Sequence, residues 1–326
     1  MNRDSVQWRG YIPALTTPFH ENGELDRNGW RALVGWAVEQ GMHGIVVAGS
    51  SGEWFALDDD ERVVLFEMAA EVVGKRVPVL GCCNALKPRQ SLALAREAQR
   101  IGLDGVVLAP PPYAVPNRHE IRAFYESVAS EISLPLCLYN WPRGTNVDMD
   151  RALVEQLAEI DTVVAIKNST GSFTGFLETF FALKDRIRIF GFGTDELSIT
   201  LISHHGGDGT IGGGAVLGRV HPGFFEAVWA GDLNRARELG AMDKAFFDFS
   251  MDPSFAPKFA SVQGIMKAAL NLQGLPGGYP RLPYLPLTDS ETERVRQQLV
   301  ALGILPEKKR ECQGRTYEED IDELEP

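Results

Sequence analysis

The chain has 326 residues, of which 44% are hydrophobic and 23% are charged, and 44 acidic against 32 basic residues give it a formal net charge of −12. A chain of this length buries a large core without disulfides or metals, and its negative field disfavours binding to nucleic acid or to an anionic membrane. There is no apolar N-terminal run and no apolar stretch of membrane-spanning length. We therefore expect a soluble, cytoplasmic protein without nucleic-acid or membrane partners.

Eight short apolar runs rich in β-branched residues recur along the chain, and a longer amphipathic segment follows each of them. In residues 61–73, for example, Val64, Leu65, Met68 and Val72 fall on one helical face. The spacing of the runs is that of one strand-helix unit. The predicted strands are residues 11–19, 44–50, 77–83, 105–111, 134–140, 163–169, 187–193 and 209–214.

The predicted strands are apolar along their whole length, which indicates a parallel sheet buried on both faces. Two architectures fit: a closed barrel and an open, doubly wound sheet. The open sheet usually carries a glycine fingerprint after its first strand, whereas this first strand ends in Leu15-Thr16-Thr17-Pro18. We predict an α/β fold, a (β/α)8 TIM barrel, over residues 1–230.

The chain continues beyond the eighth unit. Residues 233–247, 258–272 and 289–302 have helical spacing and predict a C-terminal helical subdomain, residues 231–305, packed on the barrel. Residues 306–326 are mostly charged or polar, and we expect a mobile tail there.

Active sites of such barrels lie at the C-terminal ends of the strands, and there Lys167 is the most informative residue. Of nine lysines, it alone lies inside a strand-like apolar run, directly after Val163-Val164-Ala165-Ile166. Burial favours the neutral amine, which is a nucleophile toward carbonyl groups. The alternative is a structural lysine paired with a buried carboxylate.

Tyr139 ends the preceding predicted strand, so its strand is the neighbour of the lysine's strand. A phenol there could pass protons during imine formation, although a core tyrosine with its hydroxyl at the rim fits the sequence equally well.

The segment Gly49-Ser50-Ser51-Gly52-Glu53 follows the second predicted strand. Consecutive amides on such a turn can hold a carboxylate, and serine hydroxyls add hydrogen-bond donors. The alternative is an ordinary loop, with Glu53 serving only to anchor it.

Other motifs carry less information. The six histidines lack metal-ligand spacing, and the four cysteines (82, 83, 137 and 312) form no CxxC pair, so we expect reduced, buried thiols and no metal. The glycines of residues 206–214 straddle a predicted strand instead of following one, which does not fit a dinucleotide loop. We expect no cofactor.

Together these motifs resemble the dihydrodipicolinate synthase/N-acetylneuraminate lyase family of pyruvate-dependent class I aldolases, over about residues 11–302. The family's Gly-[Ser/Thr]-[Ser/Thr]-Gly-Glu motif corresponds to residues 49–53, its Tyr-Asn-x-Pro motif to residues 139–142, and its strand-six lysine to Lys167. The resemblance implies a Schiff base between Lys167 and a 2-oxo acid, proton relay by Tyr139 and Ser50, and a carboxylate site at Gly49, Ser50 and Ser51. It places Ile211 against the imine carbon and implies a homotetramer, a dimer of dimers.

Two departures from the synthases of the family stand out. Their arginine for the second substrate's carboxylate, two positions after the Tyr-Asn-x-Pro proline, corresponds to Gly144, with Arg143 one residue early. Their relay tyrosine from the partner subunit, in a Pro-Tyr-Tyr run, corresponds to Ala114, next to Tyr113. Both departures count against dihydrodipicolinate synthesis.

The end of the seventh predicted strand, Gly193-Thr194-Asp195-Glu196, is similar to a segment that contacts substrate hydroxyls in the sugar-cleaving lyases of the family. Ser169, two residues after Lys167, matches another hydroxyl-bearing position in the pocket of those lyases. Asp195 and Glu196 could equally cap the following helix. We therefore expect a lyase or aldolase that acts on pyruvate or a 2-keto-3-deoxy sugar acid. The alternatives are dihydrodipicolinate synthase, a 2-keto-3-deoxy acid dehydratase and a non-catalytic 2-oxo acid binder.

Overall fold

The computed structural model describes residues 1–191 and 193–307, and its centre is one parallel sheet of eight strands. The strand order is β1-β8-β7-β6-β5-β4-β3-β2, so strands β2 to β8 follow one another in sequence order, and β1 lies beside β8. The strands are β1 (Gly10–Tyr11), β2 (Ile45–Val47), β3 (Val79–Cys82), β4 (Gly105–Leu108), β5 (Leu136–Asn140), β6 (Val163–Asn168), β7 (Arg188–Phe190) and β8 (Gly209–Thr210).

The segment after β1 closes the sheet into a barrel. Ala14 forms parallel bridges both to Val46 of β2 and to Gly213 beyond β8. Gly209 permits this closure, because a Cβ there would lie 2.1 Å from the carbonyl oxygen of Gly10. The predicted (β/α)8 architecture is thereby confirmed.

The strands on either side of the closure are shorter than predicted. Residues 11–19 form the end of β1 and isolated bridges at Ala14 and Phe19 instead of one continuous strand, since Pro13 has no N–H to donate to a neighbouring strand. Residues 209–214 likewise form the two-residue β8 and an isolated bridge at Gly213.

Helices connect the strands on the outside of the barrel. They are α1 (Arg27–Glu39), α2 (Asp59–Val73), α3 (Pro88–Ile101), α4 (Arg118–Ala129), α5 (Pro142–Thr145), α6 (Arg151–Leu157), α7 (Phe173–Leu183), α8 (Glu196–His205) and α9 (Val220–Ala230). Local sequence sets several ends: Asp58 and Glu61 form a capping box at the start of α2, and Asn117 and Glu120 form one at α4.

Apolar side chains fill both faces of the barrel wall. Inside it, a cluster that includes Val46, Leu80, Val107 and Ala165 packs together, and a larger cluster lies between the strands and the helices. Successive residues of a strand point to opposite faces, which explains why the strands read as continuous apolar runs.

Three helices follow the barrel: α10 (Leu233–Ser250), α11 (Val262–Leu272) and α12 (Asp289–Ala301). Helix α11 begins four residues later than predicted, because the Ser261 hydroxyl caps it by accepting from the amide of Gly264. The division at residue 230 stays a prediction, and residues 308–326 of the predicted tail lie outside the described residues. Among the described helices, none has the length and hydropathy to cross a membrane.

Candidate active site

Lys167 and Tyr139 lie side by side at the C-terminal mouth of the barrel. The register of β5 and β6 pairs them directly, and the Lys167 Nζ lies 4.4 Å from the centroid of the Tyr139 ring. Lys167 is partly exposed, not fully buried as its apolar strand suggests, because it is the last residue but one of β6. The strand thus presents the amine to the mouth of the barrel.

The amine of Lys167 is not tied to a carboxylate. Within residues 1–191 and 193–307, its Nζ makes no ion pair and no hydrogen bond. Below it, burial raises the pKa of the Cys137 thiol to about 12, although Lys167 opposes this shift. The Cys137 thiol therefore stays protonated at neutral pH, which makes it a poor nucleophile.

Ser50 connects the loop after β2 to Tyr139. Its Oγ lies 3.5 Å from the Tyr139 Oη, at the limit of a hydrogen bond. Tyr139 is buried and belongs to the cluster inside the barrel, with its hydroxyl directed to the mouth loop. Ser50, Tyr139 and Lys167 are thus brought together at the mouth of the barrel.

The loop of residues 49–53 presents unused amides. Among the described residues, the N–H groups of Ser50 and Ser51 have no acceptor, whereas the carbonyls of Gly49, Ser50, Gly52 and Glu53 accept hydrogen bonds. Gln263 donates to the Ser50 carbonyl at 2.9 Å, and Thr17 donates to that of Gly52 at 2.8 Å. The loop is therefore held through its oxygens, which leaves two donors for an anion.

A buried ion pair anchors the end of this loop. Glu53 is 0% exposed, and its carboxylate lies 2.5 Å from the Nζ of Lys267, whose side chain is 1% exposed. Lys267 also donates to the Tyr279 carbonyl, and the Arg281 amide donates to Glu53. Burial lowers the pKa of Lys267 to about 8, against the opposing effect of Glu53. Glu53 therefore anchors the loop to α11 and to the segment before α12.

The alternative role for Lys167, that of a structural lysine paired with a buried carboxylate, belongs instead to Lys267. It was missed because it lies in a helical segment, Gly264-Ile265-Met266-Lys267-Ala268, and because its partner lies in another part of the chain. The signal was a lone charge on an otherwise apolar helix face.

Two more predicted residues line the mouth. Ile211 is buried inside the barrel, in the same cluster as Tyr139. Ser169 lies two residues after Lys167, directly beyond the end of β6, and its backbone amide donates to the Asn140 carbonyl at 2.9 Å.

A polar network behind β5 and β6 also escaped prediction. The Asn140 amide donates to Asn168 Oδ1 at 2.9 Å and to Asp148 at 2.8 Å, and Asp148 accepts from Thr170. These bonds fix the ends of the strands that carry Tyr139 and Lys167.

Gly193, Asp195 and Glu196 lie at the start of α8. The Asp195 carboxylate caps this helix by accepting from the amide and the hydroxyl of Ser198. Glu196 forms a two-point ion pair with Arg237 of α10. Both acidic side chains thus have structural partners, and among the described residues neither bonds to Lys167, Tyr139 or Ser50.

Tyr113 stands out at the loop after β4. Its side chain is 88% exposed, and its φ is +76°, a strained conformation for a residue with a Cβ. Ala114, beside it, is also exposed. The loop therefore presents Tyr113 outward, away from its own barrel.

Comparison with known proteins agrees with this geometry. The profile of the dihydrodipicolinate synthetase family matches residues 7–302. A 4-hydroxy-tetrahydrodipicolinate synthase from Moorella thermoacetica is 32% identical, over 92% of this chain and 100% of the relative. An uncharacterized DapA-like lyase from Rhizobium meliloti is 30% identical, over 92% and 98%.

Solved structures have the same architecture. The prophage protein YagE from E. coli K12, of the dihydrodipicolinic acid synthase family and in complex with pyruvate, superposes with a TM-score of 0.83 at 27% identity, over 92% of this chain and 100% of that one. The chloride-inhibited dihydrodipicolinate synthase from Acinetobacter baumannii, also complexed with pyruvate, gives 0.81 at 29%, over 91% and 99%. The chain belongs to the dihydrodipicolinate synthetase family and is an enzyme of the lyase class.

Proposed function

We propose that this lyase acts on a 2-oxo acid, pyruvate or a 2-keto-3-deoxy sugar acid, through a Schiff base at Lys167. The juxtaposition of Lys167, Tyr139 and Ser50 carries the proposal: an amine without an ion-pair partner among the described residues lies 4.4 Å from the ring of a phenol, whose hydroxyl lies 3.5 Å from a serine hydroxyl. The free amides of Ser50 and Ser51 support it, since they can hold the substrate carboxylate.

The chemistry follows from these positions. The Lys167 amine attacks the keto carbon through its nitrogen lone pair, and Tyr139 and Ser50 pass protons as the carbinolamine loses water to give the imine. In the cleavage direction, the C4 hydroxyl gives its proton to the relay of Tyr139 and Ser50 as the C3–C4 bond breaks. The electron pair of that bond moves into the imine to give an enamine, and C4 leaves as an aldehyde. Protonation of C3 and hydrolysis then release pyruvate and the free amine. Condensation is the reverse sequence.

Reductive trapping tests the proposal. Borohydride with pyruvate should add one reduced pyruvate to the intact mass of the wild type and nothing to Lys167→Ala. Lys244→Ala, which removes an exposed lysine of α10, is the matched control and should trap like the wild type. Absence of an adduct on the folded wild type would contradict the proposal.

The synthase reaction is the second candidate, since a relative 32% identical bears that name. The glycine at position 144 speaks against it. A coupled assay with pyruvate and aspartate semialdehyde decides between the two, and 2-keto-3-deoxy acids in the same assay series separate aldol cleavage from dehydration. Binding of these acids without turnover would instead support the non-catalytic alternative.

We also propose that four chains assemble as a dimer of dimers in the cytoplasm. The outward, strained Tyr113 and the neighbouring exposed Val115 support an assembly in which this loop meets another chain. The three cysteines among the described residues are free and buried, which suits a reducing compartment.

A further inference from the structure

Trp141 forms the next layer of the mouth above Lys167 and Tyr139. Residues 139 and 141 follow the two-residue period of a strand, and the two rings stack with centroids 6.2 Å apart at 21°. Ser169 occupies the corresponding position after Lys167 on the neighbouring strand. A substrate joined to Lys167 through its keto carbon would therefore extend its far end toward Trp141 and Ser169.

The indole of Trp141 occupies the space that a side chain at position 144 would need. A Cβ at position 144 would lie 2.4 Å from Cδ1 and 2.5 Å from Nε1 of the indole, so any other residue there displaces the ring. The glycine at position 144 and the placement of the indole are thus one structural feature. The indole covers the turn of α5 from which an arginine side chain would extend.

A strained turn supports the indole from the C-terminal helices. Phe255 packs edge-on against Trp141, with ring centroids 5.5 Å apart, and against Phe247 of α10 at 5.7 Å. Its φ is +61°, in a turn held by the Asp252 carboxylate, which accepts from the amides of Ser254 and Ala256. Hydrogen bonds from Ser254 and Ala256, and to a smaller extent the charge of the exposed Arg143, lower the pKa of the Asp252 carboxyl in this turn.

The electrostatics of an indole face distinguish between substrates. The face of an aromatic ring carries negative potential and packs well against C–H groups. A carboxylate placed against it loses hydration without gaining a donor. An arginine on α5 would have the opposite preference.

We infer that Trp141 is the specificity-determining residue of the second-substrate subsite, where Gly144 leaves space for its indole and Phe255 packs against it. This subsite takes an aldehyde without a carboxylate, and the C–H face of that aldehyde packs on the indole. The inference rests on the proposed Schiff-base function. It narrows that function to substrates whose only carboxylate is the one next to the keto group.

The test measures kcat/KM with pyruvate and two aldehydes, neutral glyceraldehyde and aspartate semialdehyde. The wild type should prefer glyceraldehyde. Trp141→Ala and Gly144→Ala, which remove and displace the indole, should each reduce this preference by on the order of tenfold, mainly through the KM for glyceraldehyde. Trp141→Leu keeps apolar bulk and should lose less. Gly35→Ala of α1, where the nearest atom to the new Cβ is 3.8 Å away, is the matched control and should behave like the wild type.

Pyruvate trapping in the same variants needs no aldehyde, so it separates the two proposals. If the wild type traps pyruvate but prefers aspartate semialdehyde, or if Trp141→Ala and Gly144→Ala keep the wild-type preference, the inference is overturned and the Schiff-base function stands. If the wild type traps no pyruvate, the proposed function itself fails.

Discussion

The buried pair of Glu53 and Lys267 holds the loop after β2 and lies outside the reacting residues. Breaking a buried ion pair from one side leaves an uncompensated charge and costs about 3–5 kcal/mol. We predict that Glu53→Gln and Lys267→Met each lower the free energy of unfolding by that amount, measured by urea titration. The double variant should recover part of the loss. Single variants within about 1 kcal/mol of the wild type would show that the pair does not hold the loop.

His43 predicts a dependence of stability on pH. Its Nδ1 accepts from the Tyr11 amide at 3.1 Å, and burial, with the charge of Arg9, lowers its pKa from 6.5 to about 4. The unfolded chain therefore binds the proton first as pH falls. Stability from this group is complete above about pH 6.5 and is lost toward pH 4, by about 3 kcal/mol.

The His43→Asn variant keeps an acceptor for the Tyr11 amide but does not titrate in this range. Urea unfolding at a series of pH values between 7 and 4 should show a smaller fall in stability for the variant than for the wild type. Equal falls would mean that His43 is readily protonated in the folded protein.

At the level of single residues, the position of a polar group was predictable where it interrupts an apolar strand, and a contact was not predictable where its partner is distant in sequence. Lys167 and Tyr139 were recognisable because each ends an apolar run at the edge where active sites of barrels lie. Lys267 was not, because the role of a buried helical lysine depends on packing against Glu53, which lies far away in sequence.

At the scale of the secondary-structure elements, variants of Asp195 at the start of α8 separate two roles of its carboxylate: capping the helix and binding substrate hydroxyls. Asparagine caps helices about as well as aspartate, whereas alanine loses the cap at a cost of about 1 kcal/mol. We expect Asp195→Asn to keep both stability and kcat/KM, and Asp195→Ala to lose stability only. A fall of tenfold or more in kcat/KM for Asp195→Asn at unchanged stability would instead assign the carboxylate to substrate hydroxyls.

The centres of the elements were predictable and their ends were not. Periodicity located every strand and the C-terminal helices, but the closing strands depend on bridges made by Ala14 between β2 and the end of β8. Those bridges form only in the folded barrel. The start of α11 depended on one capping hydroxyl, at Ser261.

For the whole molecule, the alternation of strand and helix was sufficient to predict the barrel, because parallel strands buried on both faces and neighbouring in sequence order have few other arrangements. The assembly is a property that one chain does not contain. We predict four chain masses by light scattering at micromolar concentration, and a monomer there would contradict the proposed assembly.

The central claim is that the reacting amine is Lys167 and not Lys267, whose pKa burial lowers to about 8. Peptide mapping after borohydride reduction with pyruvate tests it most directly. The account predicts the reduced pyruvate on the peptide that contains Lys167, and an unmodified peptide around Lys267. The modification on Lys267, or spread over exposed lysines, would contradict it.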